Sequence, residues 1–155
     1  MNTEKNLQVW DQYYKEIRRQ RHCDLNFLHL LYRYALSSVD NTRKYALVIG
    51  CGDGAESIEL SRLGYNTTAI DISVTAINRV NEFSLDEGVY VKALVHDQRK
   101  VAELSGTFDI IVSWSTLSYL NESELNDALK NLREKMHPGG AIIILFESSN
   151  STICQ

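Results

Sequence analysis

The sequence predicts an α/β fold in which helices cover both faces of a mostly parallel sheet. Short apolar runs of strand type alternate with amphipathic helical segments, a pattern typical of parallel strands joined by crossover helices. Two further helical segments, residues 7–21 and 25–38, precede the first strand. The five expected strands cover 45–50, 66–71, 89–97, 107–114 and 141–147.

The length of the chain favours a single domain. With 155 residues and one continuous alternating pattern, we expect one domain over residues 1–155. Its predicted parts are an N-terminal helical lid over residues 1–40 and a ligand-binding core over residues 45–147.

Composition and charge exclude several classes of protein. A net charge of −4 argues against the basic face that a nucleic-acid partner needs, and no apolar run reaches the roughly 18–20 residues of a membrane span. The cysteines Cys23, Cys51 and Cys154 are scattered, which favours free thiols in a reducing compartment and no metal site. We therefore expect a cytoplasmic protein with no metal, membrane or nucleic-acid partner.

Local signals place the ends of the core helices. Gly64 is expected to stop one helix, Ser73 to cap the next, and Asn121 with Glu124 has the spacing of a capping box. Residues 137–140, "HPGG", are expected to end the last helix as a turn before the fifth strand. These helices cover 56–63, 74–87 and 122–136, with a short helix or loop at 98–105.

The stretch Ala46–Glu56, "ALVIGCGDGAE", combines a strand with a glycine turn. Gly50, Gly52 and Gly54 permit positive φ angles and let a ligand lie against bare backbone, and the helix that follows directs amides at negative charge. The turn satisfies a loose dinucleotide fingerprint, so it leaves a nicotinamide and other adenosine-bearing cofactors open. Cys51 within it is expected to be a small filler rather than a nucleophile.

Polar residues at two more strand ends extend the candidate site. Asp71 lies about 20 residues after Gly52, where a carboxylate can hold both ribose hydroxyls; a helix cap or surface charge is the alternative. Ile72 is expected either to pack on adenine or to belong to the core. Asp97, with Gln98 beside it, could bind the adenine amino group or simply cap a helix.

Four blocks in this order resemble the class I S-adenosylmethionine-dependent methyltransferases. They are "ALVIGCGDG", "AIDIS", "FDIIVSWSTLSYL" and "LREKMHPGGAIIIL", and the resemblance runs from about Tyr45 to Glu147. It implies a three-layer Rossmann-like sandwich, S-adenosylmethionine as cofactor with S-adenosylhomocysteine as product, and methyl transfer by in-line displacement. A small-molecule acceptor is expected because the sequence shows no basic or nucleic-acid-reading motif.

The resemblance also implies roles for individual residues. The three glycines would surround the methionine and ribose part of the cofactor, Asp71 would hold the ribose, and Asp97 the adenine amine. Ser113 and Trp114 would lie near the methionine moiety and the substrate. The expected cofactor-binding set is Gly50, Cys51, Gly52, Gly54, Asp71, Ile72, Asp97, Gln98, Ser113 and Trp114.

Two departures from the family pattern stand out. Val48 occupies a position, two before the first glycine, where the family often has an acid, so binding of the methionine end is expected to rest on backbone carbonyls. The family's sheet has seven strands, whereas five are expected here, and the C-terminal antiparallel hairpin is absent. We expect a second copy, a partner chain or a missing C-terminal part to cover the fifth strand's edge.

No fixed catalytic triad is expected, because a base is needed only for an acceptor that loses a proton. Glu147 and Tyr119 are the candidate bases, whereas His96 and His137 are expected to be structural. The first helix is expected either to pack on the sheet or to act as a substrate lid. The lid residues would be Trp10, Tyr13, Tyr14 and, for an anionic acceptor, Arg18.

Two other functions compete with methyl transfer. A catalytically silent S-adenosylmethionine-binding subunit would explain the short sheet, and an NAD-dependent oxidoreductase would share the glycine turn. No Asn/Asp-Pro-Pro-Tyr tetrapeptide follows the fourth strand, which disfavours nucleic acids and protein amides as acceptors.

Overall fold

The computed structural model describes residues 3–17, 22–35 and 43–147. Within them, five parallel strands form one sheet in the order β3-β2-β1-β4-β5, as expected from the alternating pattern. The strands are β1 Tyr45–Ile49, β2 Asn66–Asp71, β3 Val91–Val95, β4 Phe108–Trp114 and β5 Met136–Leu145.

The helices cover both faces of this sheet. The α-helices are α1 Thr3–Glu16, α2 Leu25–Leu30, α3 Ala55–Arg62, α4 Val74–Asp86 and α5 Glu122–Lys135. A π-helix extends α2 over Leu31–Ala35, and two 3₁₀ helices span Gln98–Glu103 and Leu117–Tyr119.

Alternate residues of β1 belong to two separate cores. Ala46 and Val48 pack with α2, α3 and α4 on one face of the sheet, whereas Leu47 and Ile49 pack with α5 and the first 3₁₀ helix on the other. Because both faces are buried, the strand reads as a continuous apolar run rather than an alternating one. This arrangement is the three-layer sandwich that the sequence predicts.

The strand order places a topological switch point beside β1. The chain moves from β1 through β2 to β3 on one side, and then returns to β4 on the other side of β1. Ligands of such sheets bind in the crevice outside the carboxyl ends of the strands at this point. The glycine turn follows β1 directly, so the fold puts it at the mouth of the crevice.

The local signals at Gly64, at Ser73 and at Asn121 with Glu124 are confirmed. Ser73 Oγ accepts a hydrogen bond from Ala76 N at 3.1 Å, and Asn121 and Glu124 form both bonds of the capping box. Gly64 has a φ of +91°, the left-handed conformation expected of a helix stop.

Several predicted boundaries are wrong. The first helix covers Thr3–Glu16 rather than 7–21, and the helix from residue 25 changes to π geometry after Leu30. β3 covers Val91–Val95 rather than 89–97. β5 begins at Met136, so residues 137–140 lie within the strand.

A bulge explains how "HPGG" can lie inside β5. Phe108 pairs with Met136 and Ile110 pairs with Ala141, so four residues of β5 stand opposite one residue of β4. Gly139 takes a φ of +82° in the bulge, and the neighbouring Gly140 lets the Asp109 carbonyl oxygen approach to 2.8 Å of where a Cβ would stand. The sequence pattern indicates a break at Pro-Gly-Gly, but it does not indicate that Met136, before the break, pairs with Phe108.

Among the described residues, β5 is an edge strand that pairs with β4, and the strand pairs are all parallel. In the same part of the chain, the helices are too short or too polar to span a bilayer.

Candidate cofactor and active site

A cavity of about 770 Å³ opens at the carboxyl ends of the strands. Its volume lies within the roughly 300–1,000 Å³ range of small-molecule sites. The glycine turn forms its floor, the segments after β2, β3, β4 and β5 form its walls, and α1 lies across it.

The glycine turn presents bare backbone to this cavity. Gly50 and Gly52 line it with φ angles of +63° and +50°. A Cβ on Gly50 would stand 2.0 Å from Thr116 Oγ1, and one on Gly52 would stand 2.8 Å from Tyr14 Oη. Gly54, with a φ of +88°, begins α3 and lies against Val80 outside the cavity lining. Only glycine therefore suits the first two positions.

Asp71 joins the end of β2 to the glycine turn. Its carboxylate accepts hydrogen bonds from Gly52 N at 3.0 Å and Ser73 N at 2.9 Å. Burial raises the pKa of Asp71 above its ordinary value, although these amides act in the opposite direction. The residue is 7% exposed, which is too buried for the surface charge considered from sequence.

Asp97 and Gln98 line the cavity beyond β3, as does the half-buried Ile72. Asp97 makes the helix-cap contact that the sequence left open, accepting a bond from Arg99 N at 2.9 Å, and it also pairs with the Arg99 guanidinium. Burial raises the pKa of Asp97, but the bonds from Arg99 outweigh it and leave that pKa lowered. Gln98 Oε1 is buried without a hydrogen-bond partner.

Cys51 is buried in the turn, and its amide donates to the Ile70 carbonyl at 3.0 Å. Burial, followed by the charge of Asp71, raises the pKa of its thiol well above the ordinary value. A thiol that stays protonated is a poor nucleophile, which fits the filler interpretation.

The last two residues of the expected cofactor-binding set, Ser113 and Trp114, differ in whether they line the cavity. Trp114 lines the cavity and packs edge-on against Phe27, with ring centroids 5.6 Å apart. Ser113 differs from this expectation. Its fully buried Oγ lies outside the cavity lining and has no hydrogen-bond partner. Ser113 pairs with Ile49 and Ile144 inside the sheet, so its side chain is enclosed between layers.

Helix α1 lies across the cavity. Its residues Trp10, Tyr13 and Tyr14 face the interior, and Trp10 meets Tyr119 edge-on at 5.0 Å between ring centroids. Asp11 Oδ1 ties the helix to the start of α4, accepting from Ser73 Oγ at 2.8 Å and Thr75 N at 2.9 Å. Helix α1 is therefore anchored beside the cavity, and its role as a lid stays a prediction. Arg18 lies outside the described residues.

The two candidate bases lie together beyond β4 and β5. Tyr119 belongs to the second 3₁₀ helix, and the neighbouring Ser118 Oγ accepts a bond from Glu147 N at 3.0 Å. Glu147 lies two residues after β5, and its Oε2 is buried without a hydrogen-bond partner.

The histidines occupy opposite edges of the sheet. His96 lines the cavity, and its Nε2 lies 3.0 Å from the Lys100 carbonyl oxygen. His137 is exposed in the bulge of β5, 3.9 Å from Asp109.

Several residues of the site escaped sequence reasoning. Arg79 of α4 forms a buried ion pair with Asp53 of the glycine turn at 2.7 Å, whereas a charge on an amphipathic helix is ordinarily read as solvent-facing. Glu56 and Thr116 also line the cavity. Ser115 lines it with a φ of +64°, a strained conformation that no residue pattern announces.

Metal ligands do not gather in this region: across residues 3–17, 22–35 and 43–147, no group of three or more His, Cys, Asp or Glu side chains is placed to hold an ion.

A glycine turn at a switch point, with a buried acid at the end of the next strand, defines an α/β domain that binds an adenosine-type cofactor. Residues 46–140 match the family described as "Methyltransferase domain". The chain belongs to this family, in the class I S-adenosylmethionine-dependent methyltransferase group. The family excludes the NAD-dependent oxidoreductase considered from the shared glycine turn.

The chain is similar to curated members of this group. It is 30% identical over 107 residues to the probable S-adenosyl-L-methionine-dependent methyltransferase TehB of Haemophilus influenzae, covering 69% of this chain and 37% of TehB. It is 31% identical over 103 residues to the mitochondrial ubiquinone biosynthesis O-methyltransferase of Schizosaccharomyces pombe, covering 65% and 37% of the two chains. The chain thus spans well under half the length of these two relatives.

Solved structures share the fold. The crystal structure of TehB from Haemophilus influenzae superposes with a TM-score of 0.69 at 24% identity, over 87% of this chain and 44% of that one. A structure concerned with conversion of a disulfide bond into a thioacetal group during echinomycin biosynthesis gives a TM-score of 0.76 at 20% identity, over 89% and 57%. At these identities, the likeness concerns the fold alone.

Proposed function

We propose that this chain binds S-adenosylmethionine in the cavity and transfers its methyl group to a small-molecule acceptor by in-line displacement, leaving S-adenosylhomocysteine. The observation that carries the proposal is the buried Asp71 carboxylate, bonded to the amide of Gly52 in a turn whose glycines leave backbone facing the cavity. Membership of the methyltransferase family supports the reaction.

The described residues fit the adenosine part of this cofactor. Asp71 can accept hydrogen bonds from ribose hydroxyls, since a carboxylate has about four acceptor positions and two are used by amides. Gln98 Oε1 is a buried acceptor without a partner, and the adenine amino group is a donor that would satisfy it. Ile72 offers an apolar surface at the same wall.

The methionine end has a candidate that the motif did not reveal. Val48 supplies no carboxylate, but Glu56 in the first turn of α3 lines the cavity. Burial raises the pKa of Glu56, and the bond from its own amide offsets this effect only in part. We assign Glu56 to the amino group of the methionine moiety, because an ammonium would compensate that charge.

When bound, the cofactor supplies a methyl group on a sulfonium, which is already a good leaving group. The protein then has to align the acceptor and exclude water, and proximity alone can contribute roughly 7–11 kcal/mol. Helix α1 performs the exclusion by lying over the cavity with Trp10 against Tyr119. Glu147 and Tyr119 would take a proton from an acceptor that must lose one.

Calorimetric titration with S-adenosylmethionine, S-adenosylhomocysteine and NAD tests the cofactor. We expect both adenosyl ligands to bind and NAD not to bind. Asp71→Ala should weaken S-adenosylhomocysteine binding by at least tenfold, whereas Asp127→Ala, an exposed acid on α5, should leave it unchanged. Binding of NAD alone, or equal affinity of the Asp71 variant and the parent, would refute the assignment.

A silent cofactor-binding subunit is the second candidate, favoured because β5 is an edge strand among the described residues. In that case a second copy, a partner chain or further polypeptide covers β5. Light scattering and turnover measurements on the same sample separate the candidates. Methyl transfer by a strictly monomeric 155-residue chain would exclude the need for a partner.

A further inference from the structure

Aromatic side chains form one wall of the cavity beneath α1. Trp10 meets Tyr13, Tyr14 and Tyr119 with ring centroids 5.4, 6.2 and 5.0 Å apart. All four line the cavity, as does Trp114. Such a wall offers apolar contact and ring faces that attract a cation, an interaction of about 0.5–2 kcal/mol for each favourable pair.

The charge lining the cavity is strongly acidic. The described residues that line the cavity carry six carboxylates and one guanidinium, that of Arg99. Arg99 is bonded to Asp97 and Glu124, Asp53 pairs with Arg79, and Asp71 is held by two amides. The lining carboxylates are Asp53, Glu56, Asp71, Asp97, Glu124 and Glu147.

Glu147 is the carboxylate that remains on the acceptor side of the cavity. Its amide is bonded to Ser118, next to Tyr119, which holds the residue beside the aromatic wall. Its Oε2 is buried without a hydrogen-bond partner. A buried carboxylate oxygen without a partner is costly, and a bound ligand donor or cation removes that cost.

We propose that the aromatic wall and Glu147 form the acceptor subsite, and that the acceptor is an amine carrying an apolar body. This inference rests on the proposed function and narrows its substrate. An anionic acceptor would meet uncompensated acidic charge, and a neutral alcohol would leave both the charge and the ring faces unused.

The chemistry balances with the groups at hand. The bound ammonium gives one proton to Glu147, which exposes the lone pair on nitrogen. Nitrogen then forms a bond to the methyl carbon as the sulfur–methyl bond breaks, and the electron pair of that bond stays on sulfur. The proton on Glu147 leaves to solvent when the product departs.

Intrinsic fluorescence offers a direct binding assay. The chain has two tryptophans, Trp10 and Trp114, and both line the cavity. Protein saturated with S-adenosylhomocysteine is titrated with benzylamine, benzyl alcohol and benzoate, three probes that share one ring and differ in charge. We expect benzylamine to bind at least tenfold more tightly than either of the others. Equal affinities, or preference for benzoate, would overturn the proposal.

Matched variants locate the effect. Glu147→Gln keeps the shape but removes the charge, and should reduce benzylamine affinity about tenfold while leaving benzyl alcohol affinity unchanged. Glu134→Gln removes one charge from the exposed side of α5 and should change neither. Trp10→Leu should weaken the binding of benzylamine, which is then followed by the change in Trp114 emission. An unchanged benzylamine affinity in Glu147→Gln would overturn the role of this carboxylate.

Failure of this inference differs from failure of the proposed function. If the parent protein does not bind S-adenosylhomocysteine, the proposed function itself is overturned. Retained S-adenosylhomocysteine binding without amine preference overturns only the acceptor subsite.

Discussion

The two sides of the cavity are built in different ways. The glycine-turn side consists of backbone at the ends of adjacent parallel strands, with Asp71 bonded to Gly52 across the switch point. The lid side is α1, held by side-chain contacts such as Asp11 with Ser73 and Trp10 with Tyr119. The first side therefore shares the stability of the sheet, whereas the second can detach locally without unfolding the core.

Arg79 links the two sides, so its loss is expected to have the largest effect. It pairs with Asp53 of the turn and donates to the Ile17 carbonyl just after α1. Arg79→Met would remove the guanidinium that pairs with the buried Asp53 and should lower the free energy of unfolding by about 3–5 kcal/mol. Urea denaturation measures this. Arg62→Met, which breaks exposed ion pairs, should lower the free energy of unfolding by no more than about 1 kcal/mol. Equal losses in the two variants would contradict the linking role of Arg79.

Gly50→Ala tests the backbone side alone. The new Cβ would collide with Thr116 in a backbone whose φ of +63° already disfavours a side chain. We therefore expect the unfolding free energy to fall by about 2–4 kcal/mol. We also expect the affinity for S-adenosylhomocysteine to fall. Gly106→Ala is the control, because Gly106 has a φ of +84° but no neighbour within 4 Å. Its cost should stay near 1–2 kcal/mol with affinity retained. If both variants bind equally, close approach of the turn is unimportant.

Asp11→Ala tests the lid side alone. Loss of the bonds to Ser73 and Thr75 should remove about 1–3 kcal/mol of local stability from α1. Hydrogen exchange should then accelerate in α1 but not in β1, with Gln12→Ala, an exposed neighbour, as the control. Equal acceleration in both elements would show that lid and sheet open as one unit.

Acidification should loosen the lid in the parent protein. The bond from the Thr75 amide, followed by the Lys15 side chain, lowers the pKa of Asp11 below its ordinary value. A carboxyl with a lowered folded pKa adds stability above its unfolded pKa of about 4 and loses it as pH falls through the folded value. The protection factors of the α1 amides, which correct for the intrinsic exchange rate at each pH, should therefore fall below about pH 4 in the parent but not in Asp11→Ala.

Acidification should act on the opposite side at higher pH. Because burial raises the pKa of Asp71, protonation begins above the ordinary aspartate range, and S-adenosylhomocysteine affinity should fall by up to tenfold per pH unit below that pKa. Calorimetry across pH 4–7 measures this fall. Asp71→Asn should bind weakly and should lose the Asp71 part of the pH dependence, which leaves the part that comes from Glu56. An unchanged pH profile in that variant would assign the titration to another group.

Elements with strong local signals were predicted well. β2 was predicted with its exact bounds, since Gly64 and Ser73 mark its surroundings, and the capping box marked the start of α5. Local signals failed where pairing decided the outcome. The start of β5 depends on Met136 meeting Phe108, and the enclosure of Ser113 depends on its sheet neighbours.

The sequence by itself determined the α/β class, the glycine turn and the acids at the strand ends, because periodicity and glycine placement act over a few residues. Only the tertiary structure decided that α1 lies over the cavity, that Arg79 joins Asp53, and that the Glu147 amide bonds to Ser118. Those contacts join residues far apart in the chain, and their energies depend on burial that no local pattern records. The glycine turn can thus be recognised from its motif, whereas the cavity around it is assembled by the fold.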